Sequence, residues 1–177
     1  MSILFRVAGL GVLVLLAACA TPADPGRMAV VSLQDAAPFP ARLRAATCVR
    51  GVTGGEATNP LWVSKVGDAE FRDALTASLR NNALLAAAGA CQFPIDVNLL
   101  GLAQPSAGFD MEVVSHVNYK VYDAGGTAVL LATISVPYVA TFSESPIGVI
   151  RLQRANEGAI RASIAEFLGR LRGLWRE

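Results

Sequence analysis

The most reactive side chains of this 177-residue sequence are three thiols, Cys19, Cys48 and Cys91, and a single imidazole, His116. With one histidine, any Ser-His or Cys-His relay has to run through His116. Alternation along the segment from Met111 to Val121 puts His116 on a polar strand face with Glu112, Asn118 and Lys120, where it reads as a solvated surface histidine. Asp68 with Glu70, and Glu144 after Ser143, fall at a helix start and in a loop, so they read as cap charges rather than an acid/base dyad. Gly54-Gly55 and Gly125-Gly126 fit neither the phosphate-loop nor the dinucleotide pattern and read as turns. A zinc site would need more ligands at matching spacing. The sequence therefore presents no catalytic constellation, no cofactor motif and no metal site.

Cys19 has a distinct context. Arg6 and the initiator amine form a short positive region, the apolar run from Val7 to Leu16 follows, and Ala17 and Ala18 are small, as a secretory signal requires. That run is too short for an ordinary spanning helix. The junction Leu16-Ala17-Ala18-Cys19 resembles the bacterial lipobox, in which the thiol takes a diacylglyceryl group and a peptidase cuts just before it. The expectation is a signal peptide over residues 1–18 and a lipidated Cys19, against the alternative of an apolar helix with an incidental cysteine. One acyl chain binds a membrane marginally and two or three bind it stably. Ala20 stands where an aspartate would mark inner-membrane retention in well-studied bacteria. The expected location is thus the periplasmic face of the outer membrane, with the inner membrane as the alternative.

Loss of Arg6 with the leader leaves equal numbers of basic and acidic residues, from 15 and 14 in the full chain. A neutral chain without a basic stripe gives no footprint for nucleic acid. Residues 19–46 carry Pro22, Pro25, Gly26, Pro38 and Pro40 and read as a lipidated cysteine followed by a proline-rich tether, in which residues 28–33 could form a short edge strand. Residues 47–177 then form one periplasmic domain of roughly 130 residues, enough for a single core.

Within that domain, Cys48 to Thr53 reads as a first strand, and Asp68 as the cap of a helix to about Leu85 with Phe71, Ala74, Leu75, Ser78, Leu79 and Asn82 on one face. Phe93, Ile95, Val97 and Leu99 alternate with polar residues, as do Met111, Val113, Val117, Tyr119 and Val121. After the turn at Asp123 to Gly126, the segment from Thr127 to Phe142 returns as a hairpin partner, with Pro137 forcing an edge or a bulge. A long last helix carries Ile160, Ile164, Phe167, Leu168, Leu171 and Leu174 as a stripe, with Glu157–Arg161 and Glu166–Arg170 as outward i,i+4 pairs. The order β-α-β-β-β-α predicts an α+β two-layer sandwich, a mixed sheet with two helices on one face.

In a right-handed β-α-β unit the first two strands run parallel, so Cys48 and Cys91 stand at neighbouring strand starts, a spacing that suits a disulfide in an oxidising compartment. Two buried free thiols, or a zinc or catalytic pair, are the rival readings. Arg151, Arg154, Asn156 and Glu157 open the last helix. Cations there oppose the helix dipole, which makes them a possible contact for an anion or an acidic partner, against a solvated helix start. Trp62 reads as closing one end of the core, with exposure for binding as the alternative.

Asn59-Pro60-Leu61-Trp62, the helix from Phe71 to Leu79, Gln104-Pro105 with Gly108, and Arg151-Leu152-Gln153-Arg154-Ala155-Asn156-Glu157-Gly158 together resemble a family of uncharacterised proteobacterial outer-membrane lipoproteins, from about Thr47 onward. Some members carry a UDP-N-acetylglucosamine acyltransferase label. Enzymes of that class resemble left-handed β-helices built from hexapeptide repeats with a catalytic histidine, and this sequence has no such repeats. The element order is also similar to small lipoproteins that assist lipopolysaccharide assembly or lipid transport, which implies a role by topology alone. The expected function is a non-enzymatic lipoprotein that binds an envelope protein or lipid in outer-membrane assembly, transport or maintenance. The alternatives are an acyltransferase-like enzyme on a lipid or glycan precursor using His116, and a lipid- or peptidoglycan-binding module.

Overall fold

The computed structural model describes residues 20–31, 37–59 and 63–175, so the leader, Cys19 and Trp62 lie outside it. Four strands, β1 (Thr47–Thr53), β2 (Phe93–Ala103), β3 (Met111–Tyr122) and β4 (Ala128–Ala140), form one sheet in the order β1-β2-β3-β4. β1 and β2 are parallel, and the other two pairs are antiparallel. The helices are a single turn, α1 (Pro25–Met28), then α2 (Asp68–Asn81) and α3 (Gly148–Gly173).

Period-two alternation decides which face the helices cover. Ile95, Val97, Val117, Tyr119 and Val121 are buried with Phe71, Leu75 and Leu79 of α2 and Ile160, Ile164 and Phe167 of α3 in one core. Tyr119 joins the layers: its ring stacks on Phe167 at 4.3 Å and meets Phe71 edge-on at 6.4 Å, and its hydroxyl lies 3.0 Å from Ser163 Oγ. Burial of a phenol penalises the phenolate, so Tyr119 is pushed well above its ordinary pKa and stays neutral. The β3–β4 turn closes where Asp123 Oδ1 accepts the N–H groups of Gly125 and Thr127 and Gly126 takes φ +82°. Pro137 sits on β4, an edge strand, where its missing N–H leaves no interior ladder bond unmade.

Three expectations need correction. Asp68 is the first helical residue and Gly67 the cap; the Asp68 carboxylate instead accepts the Gly55 N–H at 2.6 Å, tying the β1 exit to α2. α2 stops at Asn81 because Ala83 turns to φ +56° and the N–H groups of Leu84 and Leu85 bond back to Leu79 O, which swings Leu84 into the core. Glu157 is not in an outward pair with Arg161, since it is buried at the start of α3; Glu166–Arg170 does form, at 2.8 Å.

The stretch read as a tether is also part of the body. Ala23, Met28, Val30, Leu43 and Ala46 all lie in the main core. Pro25 occupies the first turn of α1, where its missing N–H costs nothing, and Asp24 caps that turn through the Gly26 N–H at 2.8 Å. Met28 closes this helical turn in place of a strand. The Val30 N–H then bonds Ser78 Oγ at 2.9 Å, and Asn81 Nδ2 donates to Val30 O at 3.1 Å. Prolines suit extended spacers and helix starts alike, so composition alone does not separate the two. Residues 32–36 lie outside the described set.

Candidate functional site

The first half of α3 collects more buried polar chemistry than any other part of the described chain. Its periodicity turns successive residues toward different neighbours, so the run from Arg151 to Arg161 does not act as one surface. Arg151 is buried: Nη1 donates to Ser145 O at 2.6 Å and Nη2 to Gly108 O at 3.0 Å, while its guanidinium carbon lies 5.3 Å from the Phe142 ring centre. It ties the loop after β4 to the loop after β2. Asn156 is fully buried; Nδ2 donates to Ser64 O at 2.9 Å, and Oδ1 accepts from Gln104 Nε2 at 2.7 Å. Gln104 also donates to Ser64 O, and Ser64 Oγ in turn donates to Thr21 O at 3.0 Å.

Glu157 completes this set. Oε1 accepts the Asp24 N–H at 2.9 Å, and Oε2 lies 3.9 Å from Arg27 Nε. Burial pushes its pKa up, opposed by the Asp24 N–H and the Arg27 charge. Three of the four side chains expected to meet an anion or partner are thus turned into the body. The fourth, Arg154, bonds the carbonyl of Glu144 and stays half-buried.

Arg154 lines a pocket of about 120 Å³ together with Arg27, Tyr138, Glu144, Glu157, Gly158 and Arg161. Three guanidiniums and two carboxylates leave the lining cationic, and the volume suits a carboxylate or phosphate group rather than a whole metabolite. Gly158 lets the Tyr138 ring come close to α3, because a Cβ there would collide with the ring. Arg161 lies over that ring at 6.0 Å. In the sequence Arg154 stands out as a contact and Arg161 only as a partner of Glu157; Arg27 does not stand out, because α1 reaches the site only through tertiary packing.

A second concavity adjoins the first group of contacts. Val63, Gln104, Pro105, Met111, Val149 and Leu152 are among the residues lining an open, largely apolar groove of about 650 Å³. Beyond Arg151, at the same end, Phe109 and Phe142 meet at 6.1 Å and stand 83% and 48% exposed, and Ile147 is 44% exposed.

The remaining candidates lie elsewhere. Cys48 and Cys91 are joined in a disulfide, with Cα atoms 5.7 Å apart, as the strand starts implied. His116 Nδ1 is 2.8 Å from Ser135 Oγ, its cross-strand neighbour on the uncovered sheet face. A nucleophilic relay also needs a group that orients the imidazole and donors for an oxyanion. Among the described residues, Ser135 is the ring's hydrogen-bond partner and no group of three His, Cys, Asp or Glu side chains could hold a metal ion. No helix among them is long and apolar enough to cross a membrane.

No family model matches the chain, and no curated protein matches it. Solved structures do resemble it. A Xanthomonas campestris protein of the DUF330 family has a TM-score of 0.53 at 13% identity over 84% of this chain and 92% of its own. PelC from Paraburkholderia phytofirmans gives 0.48 at 18% identity over 77% and 93%, and a minor lipoprotein from Acinetobacter baumannii gives 0.44 at 9% over 74% and 93%. The likeness to the Xanthomonas protein is one of fold.

Proposed function

We propose that this chain is a lipid-anchored, non-enzymatic envelope protein, held through Cys19 on the periplasmic face of the outer membrane, whose body binds an acidic group of another envelope component. The observation that carries the reading is the convergence of Arg27, a few residues after the anchor, with Arg154 and Arg161 of α3 around one small pocket. Guanidiniums keep their charge at any physiological pH and match the geometry of carboxylate and phosphate. The site therefore offers an acidic headgroup or side chain a fixed cationic seat close to the membrane. Assembly, transport and maintenance of the outer membrane all present such groups.

The test has two arms. Radiolabelled palmitate should enter the protein in cells, and the label should fractionate with the outer membrane. Photo-crosslinking in intact cells followed by mass spectrometry should capture one recurrent envelope component, and the double change Arg154→Glu and Arg161→Glu should abolish that capture while leaving palmitate incorporation intact. Unchanged capture would remove the pocket from the reading, and absence of palmitate would remove the anchor.

One observation favours a second reading, an enzyme acting on a lipid or glycan precursor: the 2.8 Å contact between His116 and Ser135. A His116→Ala change that leaves the cellular phenotype intact disposes of it.

A further inference from the structure

We infer that the end of the body formed by the β2–β3 and β4–α3 loops lies flat on the phospholipid bilayer, with Phe109, Phe142 and Ile147 in its interfacial layer. The inference rests on the lipid anchor at Cys19 proposed above and adds an orientation and a lipid-contacting surface to it. Ala20 is only 4% exposed, and the chain just after it is bonded to the body at Thr21 O through Ser64, at Pro22 O through Gln153 Nε2 at 2.8 Å, and at the Asp24 N–H through Glu157. Successive Cα atoms are ~3.8 Å apart, so a lipid carried on Cys19 would join the chain one residue before the packed Ala20.

A chain of contacts leads from this packed start toward the exposed aromatic pair. Ser64, which holds Thr21, is itself held by Gln104 and Asn156. Gln104 borders the apolar groove, which runs past Pro105 and Leu152 to Gly108 and Arg151. Arg151 bonds Gly108 O and faces Phe142, and Asp110 Oδ1 accepts the Phe142 N–H at 2.9 Å, which locks the two loops together. The packed start at Ala20 and Thr21, the groove and the exposed Phe109–Phe142 pair are thus linked through neighbouring contacts.

An exposed aromatic pair, with a further exposed large apolar side chain in the same β4–α3 loop, marks an interaction surface. At the boundary of headgroups and acyl chains, such side chains enter by ~5–10 Å. A bilayer brought within a residue's length by the anchor is the occupant that reaches this face by covalent geometry alone.

The experiment uses exported, processed and acylated protein in vesicles of phosphatidylethanolamine and phosphatidylglycerol, with ordinary or acyl-brominated lipids. Phe109→Trp replaces a side chain exposed enough to tolerate the indole, and the emission it adds over the parent protein is the readout. That added emission should be blue-shifted and fall at least twofold with brominated lipid. Leu131→Trp is the control: Leu131 is 67% exposed on β4, nine residues from Ala140, about 30 Å along the strand, and its added emission should be unaffected by bromine. If palmitate is incorporated and the emission added by Phe109→Trp is quenched by aqueous iodide but not by bromine, the orientation is wrong and the anchor stands. If palmitate is not incorporated, the anchor reading fails first. If crosslinking from position 109 captures a protein instead of lipid, the face belongs to that protein and the inference is overturned.

Discussion

Glu157 Oε1 on α3 accepts the backbone N–H of Asp24 at 2.9 Å, across 133 positions of sequence. One buried carboxylate thereby fastens the beginning of the described chain to its last helix. Arg27 and the cationic pocket are carried along with it.

Burial holds the Glu157 carboxyl above its ordinary value of 4.5, with the Asp24 N–H and Arg27 pulling the other way. The folded state then binds this proton more tightly than the unfolded chain, so the contribution of Glu157 to stability falls as pH rises through 4.5 and past the folded value. Glu157→Gln keeps an acceptor for Asp24 and removes the desolvated charge. Urea midpoints measured between roughly pH 4 and 8 should fall less steeply with pH for Glu157→Gln than for the parent. Glu157→Ala leaves the Asp24 N–H unpaired and should cost about 1–2 kcal/mol at neutral pH.

Arg151 tests the difference between a surface charge and a buried one. Arg151→Glu places a carboxylate against the carbonyls of Ser145 and Gly108 and should lower stability by about 3 kcal/mol, read as a shifted denaturation midpoint. Arg154→Glu, on the half-buried pocket rim, gives up one hydrogen bond to the Glu144 carbonyl and should cost about 1 kcal/mol, clearly less than Arg151→Glu. Equal effects at the two positions would contradict the burial of Arg151.

Gly158 and Tyr138 should be coupled. Gly158→Ala forces the Tyr138 ring to move and should destabilise by about 1–3 kcal/mol, as overpacking does. In the Tyr138→Ala background the same change should cost little, because the obstacle is gone. Additive costs in that double-mutant cycle would refute the contact.

The Cys48–Cys91 bridge closes a loop of 43 residues' separation. Chain entropy puts the stabilisation from such a loop at about 4 kcal/mol. Native exported protein should resist maleimide at these positions until reduced, and Cys48→Ser with Cys91→Ser should lose a stability comparable to that of the reduced parent.

The strands and the bridge were legible because they depend on local pattern. Period-two alternation from Met111 to Val121 fixes which side chains enter the core wherever that strand pairs, and a β-α-β connection between neighbouring parallel strands puts the starts holding Cys48 and Cys91 side by side. The end of α2 was harder to see, since Ala83 adopts a left-handed conformation that alanine does not advertise. The arginine-rich run was conspicuous as a string, yet its members separate by helical phase: Arg151 toward two loops, Asn156 toward Ser64, Glu157 toward Asp24 and Arg154 toward the pocket.

By itself the sequence determined the α+β order, the inward and outward faces of the strands and a near-neutral charge balance of +1. Only the tertiary structure decided that the prolines after Cys19 belong to a packed segment, that Arg27 joins Arg154 and Arg161, and that Phe109 meets Phe142. Alternation and propensity act over a few residues and are written locally. Contacts between residues more than a hundred positions apart depend on which surfaces the folded core brings within hydrogen-bonding distance, and no local pattern encodes that.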